Sequence, residues 1–284
     1  MYYSSRGIVP MACNQPIWKM YAGVFGTPDF RDPVQGGVLK NCSLIAAFAS
    51  LALKQKISDQ PLPYKFTFYN QTTLVPTTIS TNNDLPTING AVLMHAKSDA
   101  PNKIWPAVYE KAYYQWLENP AAPPSHPDYC KYQGWQSPVT LLKQLTGKVP
   151  VQKNCLNANP DTVFSDIDVL CADHARNITN RVIKYPAVAW TNDAGGQYAD
   201  NTITAQHSYS LLGVTGTKAG TPPAWTTKYV VLRNPYGKGK GDPVMPGYLY
   251  TGPWYTITLG ENDGVFALRA DQFVKYFTGY AWTV

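Results

Sequence analysis

The sequence predicts an α+β protein whose helices come mainly before its strands. Two apolar helical patterns lie in the first half of the chain, and five extended segments bounded by Gly, Pro, Asn and Asp lie in the second. A proline-rich segment at 119–132 separates the halves. The chain has 284 residues, which is enough for one large core or two lobes. We therefore expect a helical lobe over residues 1–130 and a β-rich lobe over residues 131–284.

The first predicted helix, at 41–56, is apolar on nearly every face. Leu44, Ile45, Phe48 and Leu51 follow helical spacing, and several alanines widen the apolar stripe. A helix of this composition is buried. Two glycines at 36–37 provide a turn that leads into it.

The remaining elements follow from local patterns. Extended structure is predicted at 64–79, a second helix at 105–118 with Pro106 in its first turn, and a short third helix at 138–145. The extended segments of the second half are 186–191, 207–215, 228–234, 248–259 and 264–268, followed by a short amphipathic helix at 270–277.

Composition excludes several classes of protein. The chain is 44% hydrophobic and 13% aromatic, which is too apolar for a disordered protein. No apolar run approaches the ~20 residues of a spanning helix, so we expect no membrane segment. The net charge is +6, but the basic residues are spread out, and we expect no nucleic-acid partner.

The chain has five cysteines, an odd number, so at least one thiol is unpaired and is a candidate nucleophile. The other four fit either two disulfides or four buried thiols, depending on the compartment. Only 15% of residues are charged, against about 25% in an average protein. This composition favours an extracellular over a cytoplasmic location, although the first residues carry no apolar signal core.

Three side chains, one at the start of a predicted helix and two at the ends of predicted strands, predict acyl-transfer chemistry. Cys42 lies in the first turn of the buried helix, where backbone N–H groups and the helix dipole favour a thiolate. His207 begins one predicted strand and Asn234 ends the next. Neighbouring strands would bring them to one edge of a sheet as a base and its orienter. A lone cysteine more often packs as a small apolar residue, so the prediction depends on all three together.

Six sequence blocks in one order resemble the protease core of the calpain family. The segment that begins at Cys42 is similar to Gly-Asp-Cys-Trp-Leu-Leu-Ala-Ala-Leu-Ala-Ser-Leu, and His207-Ser-Tyr-Ser-Leu-Leu-Gly-Val to His-Ala-Tyr-Ser-Val-x-x-Val. Leu232-Arg-Asn-Pro-Tyr-Gly resembles Leu-Arg-Asn-Pro-Trp-Gly. The other similar blocks are 105–113, 145–147 and 263–273.

The resemblance implies a papain-like two-lobe fold and a catalytic site. Cys42 would be the nucleophile, His207 the general base and then acid, and Asn234 its orienter. Gln35 would stabilise the oxyanion together with the Cys42 N–H. A protein or peptide substrate would lie extended between the lobes of a monomer.

The chain departs from the family pattern around the nucleophile. Ser43 replaces the usual Trp and Asn41 the usual Asp, while Gln35 lies seven residues before Cys42 instead of six. Tyr236 replaces the Trp that usually shields the Asn–His hydrogen bond.

The calcium pattern of the family is also incomplete here. Lys238 and Lys240 stand where carboxylates are expected, and Val265 replaces a Glu. Calcium takes six to eight oxygen ligands, and only scattered candidates such as Asp32 and Asp263 remain. We expect no metal site and no cofactor required for the chemistry. The ligand pattern does not support calcium at the second of the two family sites and leaves calcium undecided at the first.

The sequence therefore predicts a calpain-like cysteine endopeptidase that works through a thioester acyl-enzyme. Two alternatives stay open: a ligase or transglutaminase-like acyl transfer on the same triad, and a weakly active binding or effector protein on a peptidase scaffold. Once Cys42 is assigned to chemistry, Cys155 and Cys171 are the expected disulfide pair, which leaves Cys13 and Cys130.

Overall fold

A computed structural model describes residues 16–37, 39–132, 134, 136–172, 178–192, 198–200, 202–239 and 241–284. Within these ranges the chain forms helices and mostly antiparallel sheets, which confirms the α+β class. No helix in these ranges has the length and apolar character needed to cross a membrane.

In its described residues, the first half of the chain combines three α-helices with three small sheets, and so contains more strand than the sequence predicts. Its elements are β1 (Ile17–Met20), β2 (Pro33–Val34), α1 (Cys42–Leu53), β3 (Tyr64–Tyr69), β4 (Pro76–Thr81), β5 (Asp84–Ile88), β6 (Val92–Leu93), β7 (Lys97–Ser98), α2 (Trp105–Glu118), a 3₁₀ turn (Tyr129–Tyr132) and α3 (Pro138–Thr146).

An aromatic stack joins α1, α2 and β3. Phe48 of α1 lies 4.4 Å from the ring of Tyr109 in α2, and Phe66 of β3 lies 4.4 Å from the same tyrosine. All three rings are buried, and every residue of α1 is buried as well. The all-round apolar pattern of α1 therefore reflects packing on all sides, as the sequence predicts.

The second half is dominated by an eight-stranded sheet. Its elements are β8 (Val151–Asn154), α4 (Pro160–Leu170), β9 (Arg181–Val182), β10 (Ala187–Thr191), β11 (Ser208–Ala219), β12 (Ala224–Arg233), β13 (Leu249–Tyr250), β14 (Gly252–Trp254), β15 (Ile257–Leu259), β16 (Val265–Arg269), α5 (Ala270–Tyr276) and β17 (Phe277–Trp282). The strand order is β13-β16-β12-β11-β10-β17-β8, with β9 beside β11, while β14 and β15 form a separate pair.

Three hydrogen bonds that involve serine hydroxyls attach α1 to this sheet. Ser43 Oγ lies 2.8 Å from Ser208 Oγ, and Ser210 Oγ donates to the carbonyl of Ala46 at 2.7 Å. One turn further on, the N–H of Ala187 donates to Ser50 Oγ at 2.6 Å. The hydrogen bonds follow successive turns of the helix, so α1 is held against β10 and β11 along its length.

Most predicted elements are confirmed, with differences at two extended segments, one helix and one strand. The segment predicted as extended at 64–79 is a hairpin of β3 and β4, and the segment at 248–259 contains three short strands. Helix α4 was not expected, although Asn159 caps it by accepting from the N–H groups of Asp161 and Thr162. Strand β17 was missed because its aromatic residues follow the last helix without a turn residue.

The expected disulfide between Cys155 and Cys171 is wrong. Both thiols are free and buried, and each donates to a nearby backbone carbonyl, Phe277 O and Ile167 O respectively. The Cys155 thiol is therefore held by the backbone of β17, and the Cys171 thiol by the last turn of α4. Cys130 is disulfide-bonded, and Cys13 lies outside the described residues.

Candidate active site

The three predicted catalytic residues all lie at the ends of elements. Cys42 is the first residue of α1, His207 immediately precedes β11, and Asn234 immediately follows β12. The two strands are antiparallel neighbours, with Ser210 opposite Arg233. Their pairing brings His207 and Asn234 to the same edge of the sheet, as the strand-end positions predict.

A hydrogen bond of 2.9 Å joins Nε2 of His207 to Oδ1 of Asn234. The same Oδ1 accepts from the backbone N–H of Tyr236 at 3.1 Å, which identifies it as the amide oxygen. An amide oxygen only accepts, so Nε2 of His207 must carry the proton. The lone pair of the ring is therefore on Nδ1, the nitrogen that faces away from Asn234.

The imidazole of His207 is enclosed by two aromatic rings. Tyr236 lies 4.6 Å from it at an angle of 31°, and Tyr209 meets it edge-on at 5.0 Å. Burial lowers the pKa of His207 to about 4, and the hydrogen bond that Nε2–H donates to Asn234 opposes this only in part. The ring is consequently neutral at physiological pH and able to accept a proton.

Thr191 holds the backbone of His207 in place. Its hydroxyl accepts from the His207 N–H at 3.0 Å, while its own N–H donates to the His207 carbonyl at 2.9 Å. Thr191 is the last residue of β10, so this strand fixes the backbone position of His207 just before β11. Sequence reasoning did not single out this residue, and no motif marks it.

The thiol of Cys42 is also buried, and burial raises its pKa. Hydrogen-bonding interactions with Ser208 and Ser43 oppose that rise. Among the described residues no hydrogen bond joins the thiol to the ring of His207. The resting site therefore contains a neutral thiol and a neutral imidazole.

Gln35 lies in the loop before α1, next to the strand end that carries Asn234. Its backbone N–H donates to the carbonyl of Pro235 at 2.8 Å, which ties this loop to the residue after Asn234. Its side-chain amide donates to the carbonyl of Leu39 at 2.8 Å. The amide is thus engaged within its own loop, with one further N–H available.

An acidic cavity of about 370 Å³ contains the candidate calcium ligands. Its charged lining residues are Asp29, Arg31, Asp32, Asp99, Lys103, Lys238, Glu261 and Asp263.

The best calcium candidate in this cavity, Asp32, already binds other donors. Its Oδ2 accepts from Lys103 Nζ at 3.0 Å, from the indole N–H of Trp105 at 2.8 Å and from the N–H of Asp29 at 2.9 Å. Lys103 also donates to the carbonyl of Thr27 at 2.8 Å. An ammonium group therefore already neutralises this buried carboxylate.

Two other carboxylates of the cavity accept hydrogen bonds from backbone N–H groups. Asp99 accepts from the N–H of Lys238 at 2.8 Å, and Asp263 from the N–H of Val265 at 2.9 Å. In the described part of the chain, no group of three or more His, Cys, Asp or Glu residues is arranged to hold a metal ion. Calcium takes six to eight oxygen ligands, whereas an ammonium group already lies beside Asp32 in this cavity. Lys240 lies outside the described residues.

The sequence of the chain is similar to the sequences of known cysteine proteases. The family model described as "Calpain family cysteine protease" matches residues 17–281. The chain belongs to the calpain family. Human calpain-8 is 25% identical over 297 residues, which cover 92% of this chain and 37% of calpain-8. Human calpain-14 is 25% identical over 284 residues, covering 92% of this chain and 38% of that protein.

The catalytic subunit of bovine calpain-2 is 23% identical over 296 residues, which cover 92% of this chain and 37% of the subunit. The chain therefore spans less than two-fifths of the length of these calpains. As a calpain-family protein, it combines Cys42, His207 and Asn234 with a serine after the cysteine and a tyrosine over the imidazole.

Proposed function

We propose that this calpain-family chain is a cysteine endopeptidase that uses Cys42, His207 and Asn234 as its triad. The observation that carries the proposal is the hydrogen bond between His207 and Asn234, which leaves the lone pair on Nδ1. A tautomer fixed in this way is what a general base for a cysteine nucleophile requires. The fold is a papain-like arrangement of two lobes divided near residues 130 and 131, with a protein or peptide substrate extended between them.

The reaction follows from these roles. Nδ1 of His207 accepts the proton of the Cys42 thiol, and the thiolate attacks the carbonyl carbon of the scissile bond. The oxyanion that forms is stabilised by the N–H of Cys42 and by the free N–H of Gln35. His207 then gives its proton to the leaving amine as the C–N bond breaks, which leaves a thioester on Cys42. Water, deprotonated by His207, hydrolyses the thioester and restores the thiol.

Asn234 acts through His207 and not on the substrate. Its amide oxygen holds Nε2–H while the ring is neutral, and it continues to accept that bond when the ring becomes imidazolium. The flanking rings of Tyr236 and Tyr209 keep water from competing for this hydrogen bond.

The proposed enzyme needs neither calcium nor another cofactor. The support is the position of Lys103, whose ammonium supplies the positive charge beside the buried carboxylate of Asp32. We also propose that the protein acts as a monomer. A nucleic-acid partner is not proposed, since the basic residues are dispersed along the chain.

Casein digestion by the wild type, Cys42→Ala and Cys155→Ala tests the proposal. Cys155 is a matched control because it is also a free buried thiol, and burial raises its pKa to about 12. We expect Cys42→Ala to lose proteolysis and Cys155→Ala to keep it, with iodoacetamide labelling Cys42 selectively in the folded protein. Full activity of Cys42→Ala would refute the assignment.

Product analysis separates hydrolysis from acyl transfer. The digestion is repeated with an added primary amine, and the new carboxyl ends are examined by mass spectrometry. Free carboxylates in both reactions are the expected result for a peptidase. Amide products that dominate over carboxylates would instead identify an acyl transferase.

A further inference from the structure

The hydroxyl groups of Ser43 and Ser208 meet at the candidate active site. Ser43 directly follows Cys42, and Ser208 directly follows His207. Their oxygens are 2.8 Å apart although the residues are 165 positions apart in sequence. Both residues are at most 1% exposed, so water does not replace either partner. This contact therefore links the helix of the thiol to the strand of the imidazole beside the reacting groups.

Proton counting shows that the pair has a donor to spare. Two hydroxyls carry two protons, and their mutual hydrogen bond uses one of them. The Cys42 thiol is the other side chain with which both hydroxyls have hydrogen-bonding interactions. One O–H remains available to an acceptor nearby, and Cys42 is adjacent in sequence to one member of the pair and in contact with the other.

We propose that the Ser43–Ser208 hydroxyl pair holds Cys42 in register with His207 and donates its spare O–H to the thiolate. The inference rests on the proposed peptidase function. When Nδ1 of His207 takes the thiol proton, both serine protons stay on their oxygens, and only a hydrogen bond to sulfur is strengthened. Hydrogen bonds to a charged acceptor are stronger than those to a neutral one, so the pair favours the ionised nucleophile.

The family pattern has Trp after the cysteine and Ala after the histidine, so the two hydroxyls occur together as departures of this chain. A purely structural role is already filled by neighbours. Ser210 bonds Ala46 and Ser50 bonds Ala187, and these contacts attach the same helix to the same sheet further from the thiol. Ser210 therefore provides a matched control on the same strand and helix.

The test compares Ser43→Ala, Ser208→Ala, the double variant and Ser210→Ala. Measurements are the thermal unfolding midpoint, kcat and KM for a fluorogenic peptide, and the pH dependence of Cys42 alkylation by iodoacetamide. Each single variant leaves a buried hydroxyl without its partner, whereas the double variant removes both and regains stability.

In the double variant we expect kcat to fall about tenfold and the alkylation midpoint to rise by about one pH unit. Each single variant keeps one O–H that can donate to the thiolate, so we expect smaller changes in the same directions. Ser210→Ala should lower the unfolding midpoint without moving the alkylation midpoint. Wild-type kcat and alkylation in the double variant would overturn the inference. So would an equal shift of the alkylation midpoint in Ser210→Ala.

If the double variant does not fold, Ser43→Thr and Ser43→Val make the same comparison. These two side chains have nearly the same shape, and only threonine keeps the hydroxyl. We expect higher kcat and a lower alkylation midpoint for Thr, and equal values would reject the inference. A wild type that neither cleaves peptides nor reacts at Cys42 would reject the proposed function itself, whereas an active wild type with unaffected variants rejects the hydroxyl pair alone.

Discussion

The carboxyl group of Glu110 accepts a hydrogen bond of 2.5 Å from the side chain of Asn41, the residue immediately before Cys42. Its other oxygen accepts from the N–H of Ala96 at 3.0 Å. Glu110 lies in α2 and is 1% exposed, so a buried acid of one helix supports the start of another. Burial raises the pKa of Glu110 to about 8.

This acid makes stability depend on pH. Between pH 4.5 and about 8 the unfolded state ionises at Glu110 while the folded state remains protonated. The unfolding free energy contributed by Glu110 therefore falls as pH rises through this window, by at most about 1.4 kcal/mol per pH unit. Glu110→Gln does not titrate, so we expect its stability relative to wild type to increase from pH 5 to pH 8.

Urea unfolding at pH 5, 6.5 and 8 measures this difference. Glu118→Gln is the control, because the ion pair with Lys131 lowers the pKa of Glu118 and keeps it ionised throughout. Other titrating groups are common to the proteins and cancel in the comparison. A constant difference between Glu110→Gln and wild type would contradict the predicted shift.

Asn234→Ala should lower kcat with little effect on KM. The substitution removes the acceptor of Nε2–H, so the imidazole loses its fixed tautomer and orientation. General-base catalysis contributes about 10²–10⁴-fold, and we expect a loss near the lower end because His207 itself remains. Steady-state kinetics with a fluorogenic peptide measure the effect. Asn180→Ala, which removes a hydrogen bond to Thr215 elsewhere on the sheet, should keep kcat within a few-fold.

Tyr236→Ala should shift the acid limb of kcat/KM to higher pH. The tyrosine ring covers His207, and burial is the main cause of the low imidazole pKa. Removing the ring admits water, which favours the charged form and raises the pKa from about 4 toward 6.5. Tyr236→Trp keeps an aromatic cover and should leave the limb near its wild-type position. Equal profiles for the Ala and Trp variants would show that the ring does not control this pKa.

Chelators should not affect the proteolytic rate, because the ammonium of Lys103 already occupies Asp32. Lys103→Met leaves a buried carboxylate without its charged partner and should lower the unfolding free energy by about 1–3 kcal/mol. Lys131→Met breaks an exposed, solvent-screened ion pair with Glu118 and should change the unfolding free energy much less. Loss of activity with a chelator, restored by calcium, would overturn the proposal of a calcium-independent enzyme.

Alkylation of the unfolded protein tests the assignment of the cysteines. Without reductant, iodoacetamide in denaturant should modify Cys42, Cys155 and Cys171, which are free. Cys130 should react only after reduction, because it is disulfide-bonded. Peptide mapping distinguishes these sites, and a Cys155–Cys171 peptide in the unreduced digest would contradict the structure.

Some elements were predictable because their signals are local. The all-round apolar pattern predicts α1, and Pro106 with the following residues predicts α2 over 105–118. Helix α4 could also have been found, since Asn159 and Pro160 form a standard N-terminal cap before Val163, Phe164 and Ile167. Strand β17 could not be separated from α5 by pattern, because aromatic residues continue from one into the other.

The sequence by itself determined the positions of Cys42, His207 and Asn234, because a helix start and two strand ends are marked by local patterns. Only the tertiary structure decided which atoms meet. The contacts between Ser43 and Ser208, and between Lys103 and Asp32, join residues 165 and 71 positions apart. Likewise, only packing shows that Cys155 and Cys171 remain apart as free thiols. Such distances depend on how helices and sheets pack, and no local pattern of side chains encodes them.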